Sequence, residues 1–363
     1  MAMMGSPGCN STRELAGRVL TVGLPGPRLD RATRRELVRL APGGILLFRR
    51  NIEDAAQLTH LSAALHALPA RPLIGIDHEG GRVLRLATPF TQFPPAADVG
   101  RLGVRIAHAV GRAMGVELAS LGIDINYAPI LDVPRPGASD AIGDRAFATA
   151  PHRAAALAVA FLRGLQRGGV LPCGKHFPGH GGAEADSHLS LPVVRRSRLA
   201  LARTELVPFR AAIAAAVPML MTAHVRYPGL DARRCATLSP TILRRLLRDT
   251  LHFTGVVVSD DLAMRAISDR LTAPSAGAAA LAAGVDWLLV CHDLGVARRV
   301  ADRLVDAAQR SARAAARLLD AARRIRQLPR RAEDRPSRLP LPVAAHLALA
   351  ERIYRVAAAA RTC

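Results

Sequence analysis

The sequence predicts a single-domain (β/α)8 barrel, and three observations lead there. Eight short apolar runs rich in β-branched residues alternate with amphipathic stretches, as in parallel sheets covered on both faces. Most of these runs end in an ionisable side chain, which is how the catalytic face of a barrel reads in sequence. A chain of 363 residues, half of them hydrophobic, can fill one such domain. Doubly wound sheets share the local alternation, so the pattern of strand ends decides for the barrel.

Taken in order, the strands are "RVLTVGL" (18–24), "GGILLF" (43–48), "RPLIGI" (71–76), "DINYAPIL" (124–131), "VLPCG" (170–174), "VPMLMTA" (217–223), "TGVVVS" (254–259) and "VDWLLVC" (285–291). "AAQLTHLSAALHAL" and "APHRAAALAVAFLRGLQRGG" are typical of the helices between them. The third run ends in Asp77, the fourth in Asp132, and the fifth in Lys175 and His176. The sixth ends in His224, the seventh in Asp260 and the eighth in His292. A single acid after a strand often only caps the next helix; six such ends out of eight point to a shared site. The barrel is expected over 1–330. Residues 331–363 are expected to form a linker and a C-terminal helix packed on the barrel.

Composition bounds the function. The formal charge of +21 suggests nucleic acid, since basic stretches neutralise phosphates. In "ARLLDAARRIRQLPRR", however, the arginines fall among Ala, Leu and Asp at helical intervals, the mark of a solvated face. Aromatic residues are 3% of the chain, too few for base-stacking platforms. No specific nucleic-acid partner is expected. The N-terminus lacks a basic region followed by an apolar run, and no apolar stretch reaches the length of a membrane span. The five cysteines are scattered, and Cys173 and Cys291 sit in apolar runs as buried thiols do. A cytoplasmic monomer is expected, without membrane association. Lys175 is the sole lysine among 50 basic residues. It therefore marks a place where a compact ammonium is needed and a planar guanidinium is not.

The chemistry concentrates in four segments. "GKHFPGHGGAEADSH" (174–188) crowds Lys175, His176, His180, Asp186 and His188 among backbone-breaking glycines and Pro178. "IDHEGGRVLR" (76–85) sets Asp77, His78 and Glu79 before a glycine pair, then Arg82 and Arg85; the glycines permit a tight turn that points the acids into a pocket. "AIGDRAF" (141–147) offers Arg145 after another glycine turn, and "VVVSDDLAM" (256–264) places two acids at a strand end. By alternation Asp260 shares the face of Val256 and Val258, and Asp261 takes the other. One acid is expected to cap a helix beginning at Leu262 while the other works in the site; which does which stays open on pattern alone.

"GKHFPGHG" followed by "DSH", with "DHEGGRV", "GDRAF" and "VVVSDDLAM", resembles the family 3 glycoside hydrolases from about residue 18 to about residue 325. The likeness is greatest to their single-domain bacterial branch, the β-N-acetylglucosaminidases of cell-wall recycling. The resemblance implies a barrel that removes a terminal β-linked N-acetylglucosamine with retention, from a small carbohydrate or muropeptide, with no metal or cofactor. It puts the nucleophile on Asp260 and leaves Asp261 as a capping or structural acid. It implies an acid/base His188 held by Asp186, on a loop after strand five. Asp77, Arg85, Arg145, Lys175 and His176 match the positions that bind the sugar. Two departures stand out: Ala146 replaces an expected Ser, and "CHD" (291–293) replaces an Asn-containing strand end.

These assignments have a physical logic. Retention needs a carboxylate beneath the anomeric carbon and a proton donor at the glycosidic oxygen. An imidazole already titrates near neutrality, and an adjacent carboxylate fixes its tautomer. A Zn²⁺ site built on His176, His180, Asp186 and His188 is the alternative in a metal-dependent barrel hydrolase. Histidines four apart share a face only on a helix, which Pro178 and its neighbouring glycines forbid. A β-N-acetylglucosaminide phosphorylase is a second alternative, because a histidine acid/base does not repel phosphate as a carboxylate does. His180 is expected to stabilise its loop, Glu79 to pair internally with an arginine, and His224 and His292 either to line the pocket or to be satisfied strand-end residues.

Overall fold

The computed structural model describes residues 9–183, 191–329, 339 and 341–362. Eight strands close into a parallel barrel in sequence order. They are β1 (Leu20–Gly23), β2 (Gly44–Leu47), β3 (Leu73–Ile76), β4 (Ile125–Asn126), β5 (Leu171–Phe177), β6 (Met219–Thr222), β7 (Val256–Asp261) and β8 (Trp287–Val290). The predicted fold is the observed one. Most strands are buried along their whole length, which is why their sequences run apolar without alternation.

Size matching fills the barrel. Trp287 and Tyr127 are fully buried and stand against glycines: a Cβ on Gly44 would come within 2.6 Å of the Trp287 ring, and one on Gly75 within 2.6 Å of Tyr127. Large rings and bare backbone alternate to reach close packing. At the N-terminal end, Asp124 and Asp286 play matching parts. Asp124 accepts the backbone N–H of Ile74, and Asp286 that of Val257, each at 2.8 Å. His66 pairs with Asp124 at 2.8 Å, while Arg248 and Arg317 pair with Asp286 at 2.7 and 2.6 Å. These pairs pin adjacent strands on the face that serves stability.

Two expected strands differ from the pattern. The fourth shrinks to Ile125–Asn126, because Pro129 has no N–H to offer a ladder and only an isolated bridge, Ile130 to Lys175, continues it. The fifth instead extends to Phe177 and carries Lys175 and His176 inside the strand. The helix Ala344–Thr362 lies against the helices Ala96–Arg101 and Val104–Ser120. It buries Ala350, Ile353 and Ala357, an apolar stripe at helical spacing. Cys173, Cys235 and Cys291 are buried free thiols. Among the described residues no helix is long and apolar enough to cross a membrane.

Candidate active site

A cavity of about 480 Å³ opens at the C-terminal ends of the strands, with Asp77, Glu79, Arg85, Arg145, Lys175, His176, His180, Asp260, Asp261 and His292 in its wall. Every sugar-binding candidate is there, together with Asp260. Asp186 and His188 lie outside the described residues.

The segment after β3 builds one wall. Gly80 and Gly81 have φ of 106° and 56°, a turn that costs a side chain dearly; a Cβ on Gly80 would also stand 2.5 Å from the Pro94 carbonyl. The turn directs Asp77 and Glu79 inward. Lys175 Nζ then donates to both, at 2.7 Å to Asp77 and 2.6 Å to Glu79. Arg145 donates through Nε and Nη2 to the two Glu79 oxygens at 2.8 Å each. Burial favours neutral Lys175, but Asp77 and Glu79 outweigh it and hold the ammonium charged. Glu79 is driven far below the usual carboxylate range despite burial, by Lys175 and Arg145. It is the internal ion-pair partner expected, with the lysine as a second cation. Arg85 reaches toward Asp77 at 3.9 Å, and its buried Nε has no hydrogen-bond partner among the described residues.

A second hub is Asp132, fully buried after β4. It accepts from His176 Nδ1 at 2.8 Å and from the backbone N–H groups of His176 and His180 at 3.1 and 2.7 Å. Burial opposes its charge, but His176 and His180 overcome that and keep it below the ordinary range. The acceptor role fixes a proton on His176 Nδ1, leaving Nε2 for the cavity. Sequence reasoning noted Asp132 as a strand end and missed this role. The chain then runs to Ala183 on backbone bonds from Arg135 to Gly181 and from Ser139 to Ala183, 3.0 and 2.9 Å. Burial, then the neighbouring His176, lowers the affinity of His180 for a proton.

On β7 the structure corrects the alternation argument. The ladder to β8 shifts between Val258 and Asp261, and both acids reach the cavity; a bulge breaks the two-residue period on which the reading of opposite faces depended. Their surroundings still differ. Asp260 Oδ1 accepts only the Asp261 N–H, at 2.8 Å, among the described residues. Burial raises its pKa, but His224, His176 and the Asp261 N–H lower it further, and Lys175 adds to this. Asp260 is therefore an ionised carboxylate. Asp261 accepts the N–H of Ala263 at 3.0 Å and faces His292 Nε2 at 3.2 Å; it closes a turn and caps no helix, since the helix expected from Leu262 starts at Arg265 with Met264 as its N-cap.

His224 and His292 divide the two roles left open for them. His224 is fully buried, bonded to Thr237 Oγ1 at 2.8 Å and to the Asp261 carbonyl at 3.0 Å, a satisfied strand-end residue whose affinity for a proton is lowered by burial and partly restored by Asp260. His292 lines the cavity, stacks on Phe48 with ring centroids 5.9 Å apart, and is shifted toward protonation by Asp261. Arg50 covers the same Phe48 ring at 4.4 Å. Sequence reasoning passed over this stack, whose only signal was the aromatic end of the second run. Among the described residues no group of three or more His, Cys, Asp or Glu side chains could hold a metal ion.

Comparison with known proteins gives a consistent result. The sequence profile of the glycosyl hydrolase family 3 N terminal domain matches residues 12–328. A beta-hexosaminidase of Methylococcus capsulatus is 42% identical over 273 residues, covering 74% of this chain and 81% of that protein. One of Thiobacillus denitrificans is 41% identical over 293 residues, covering 78% and 81%. Among solved structures, the glycoside hydrolase family 3 beta-N-acetylglucosaminidase of Paenibacillus sp. superposes with a TM-score of 0.84 at 35% identity, over 94% of this chain and 68% of that one. NagZ of Neisseria gonorrhoeae in complex with N-trifluoroacetyl-D-glucosamine gives 0.73 at 33%, over 85% and 98%. The chain belongs to glycosyl hydrolase family 3.

Proposed function

We propose that this glycoside hydrolase is a retaining exo-β-N-acetylglucosaminidase acting on peptidoglycan fragments in cell-wall recycling. The activity named for its relatives, beta-hexosaminidase, supports the sugar class. The observation that carries the mechanism is Asp260 in the wall of a cavity lined by donors, its carboxyl held below the ordinary carboxylate range by His224 and His176 against burial.

Asp260 attacks the anomeric carbon and the C–O bond to the aglycone breaks, giving a glycosyl-enzyme ester. His188, held by Asp186, gives its proton to the departing oxygen, then takes one from the water that hydrolyses the ester. The wall orients the sugar. Arg85 Nε, buried and unpartnered among the described residues, is a donor that a hydroxyl or acetamido oxygen satisfies. Lys175 and Arg145 are held in place by Glu79, while Asp77 and His176 complete the hydrogen-bonding set. The cationic side chains also suit a muropeptide, whose aglycone carries carboxylates.

The test is turnover of an aryl β-N-acetylglucosaminide, followed by NMR to identify the first anomer released. Release of the β-anomer supports the reading, and an initial α-anomer refutes retention. A parallel reaction in phosphate separates hydrolysis from phosphorolysis: accumulation of a sugar 1-phosphate overturns the hydrolase assignment. Comparing a muropeptide with a chitin disaccharide tests the physiological substrate.

A further inference from the structure

We infer that the helix Ala344–Thr362 braces the segment Asp77–Pro95 that walls the active site, acting through His346, Glu117 and Thr91. The profile match ends at residue 328, so this helix lies outside the part of the chain that the family description covers. The inference rests on the sugar-binding roles proposed above for Asp77 and Arg85.

The geometry forms a chain of contacts from the helix to the site. His346 Nδ1 donates to Glu117 Oε1 at 2.8 Å across 229 residues of sequence. Glu117 is buried, and it also accepts the Thr91 N–H at 3.1 Å and the Thr91 hydroxyl at 2.5 Å. Three donors from two distant segments thus converge on one carboxylate. Thr91 belongs to a stretch tied up at both ends. Gln92 Nε2 donates to the Leu86 and Phe90 carbonyls at 3.1 and 2.9 Å. At the other end the Arg85 N–H donates to His78 Nδ1 at 3.2 Å, and His78 exchanges two backbone bonds with the Asn126 side chain. Leu86, Phe90 and Phe93 are buried. The outer side of the same stretch faces the C-terminal helix across a cavity of about 270 Å³ lined by Thr88, Pro89, Gln92, Leu347 and Tyr354.

A binding wall carried on a loop is effective only when its conformation is set before the ligand arrives; otherwise binding must supply the ordering. Without His346, Glu117 keeps the two Thr91 donors but loses its tie to the C-terminal helix and part of a polar network that is strongest when complete. His346 is therefore a positioning residue. Removing it loosens 86–93 and weakens ground-state binding through Arg85 and Asp77, while the reacting groups on β7 stay as they are.

The test measures hydrogen exchange and steady-state kinetics in the full-length protein, for His346→Ala and for His346→Asn, whose Nδ2 takes the place of Nδ1. In His346→Ala, exchange in 86–93 should rise while exchange in 244–258 across the barrel stays unchanged. KM for the aryl N-acetylglucosaminide should rise about fivefold, in keeping with loss of one hydrogen bond to a buried charge, with kcat nearly constant. His346→Asn should restore both. Unchanged exchange in 86–93, or a rise spread evenly over the barrel with KM unmoved, overturns the brace. If the wild type turns over no N-acetylglucosaminide, the proposed function fails and the exchange measurement alone decides the brace.

Discussion

Arg145 grips Glu79 through two parallel hydrogen bonds, Nε to Oε2 and Nη2 to Oε1, both 2.8 Å, in a place where the Glu79 side chain is 4% exposed. With Lys175 at 2.6 Å on the same carboxylate, the group is an ion triad away from water. Such a group is stable only while complete. Glu79→Ala leaves Arg145 without its carboxylate and Lys175 with Asp77 alone, and should lower unfolding stability by about 3–5 kcal/mol. Arg145→Lys keeps the charge but gives up the fork, and should cost roughly 1–2 kcal/mol. Urea midpoints of the two variants check both values; a Glu79→Ala protein as stable as wild type contradicts the triad.

The adjacent acids on β7 should separate cleanly by function. Asp260 is ionised and accepts one backbone N–H, whereas Asp261 is occupied by Ala263 and His292. Asp260→Ala should reduce kcat by about 10⁴-fold or more, as removal of a covalent nucleophile does. Azide, a small external nucleophile, should partly restore turnover of an activated substrate. Asp261→Asn keeps an oxygen for the Ala263 N–H and should lose only about tenfold, the scale of one altered charged contact. A reversed order of these two effects would move the nucleophile to Asp261.

What the sequence disclosed about this site follows from its physics. Asp77, Lys175, His176 and Asp260 were legible because parallel strands deliver their C-terminal residues to one face whatever lies between them. The Asp260/Asp261 faces were misjudged because a bulge is a local departure from the two-residue period that the period cannot announce. That Glu79 pairs with an arginine was expected, but its pairing with Arg145 and Lys175, Asp132 beneath two histidines and Glu117 beneath His346 were beyond reach for another reason. Each joins segments separated by 44 to 229 residues, and spacing along a chain carries no information about such pairs.

Buried neutral histidines make the fold sensitive to mild acid. His78 is 1% exposed, and its pKa falls from 6.5 to about 4, first through burial, with Arg85 adding and Glu117 opposing. Between those values the unfolded chain takes up a proton that the folded chain refuses, so stability drops as pH falls from 6.5 toward 4. The full shift corresponds to a loss on the order of 3 kcal/mol, and His180 and His224 are shifted in the same direction. Glu79, Asp132 and Glu117 add a later loss at lower pH: each is depressed below its unfolded value, so its contribution disappears as pH falls through the folded pKa. Urea midpoints at pH 7 and 4.5 should differ less in His78→Gln than in wild type. Equal slopes for the two proteins would mean that His78 is protonated in the folded state.

The pH dependence of catalysis should tell the two proposed reacting groups apart. Asp260 is held below the ordinary carboxylate range, so it stays ionised through the mildly acidic region and sets no limb there. A histidine acid must be protonated to expel the aglycone, so kcat/KM should fall on the alkaline side as the imidazole loses its proton. The limb should be steepest for alkyl glycosides, whose leaving oxygen needs the proton most. It should be shallow for a nitrophenyl glycoside, which departs unaided. His188→Ala should remove the limb and slow the alkyl substrate about a hundredfold or more, the usual scale of general acid catalysis, while slowing the nitrophenyl substrate far less. Equal losses on both substrates, or an alkaline limb that survives the substitution, would assign the proton to another group.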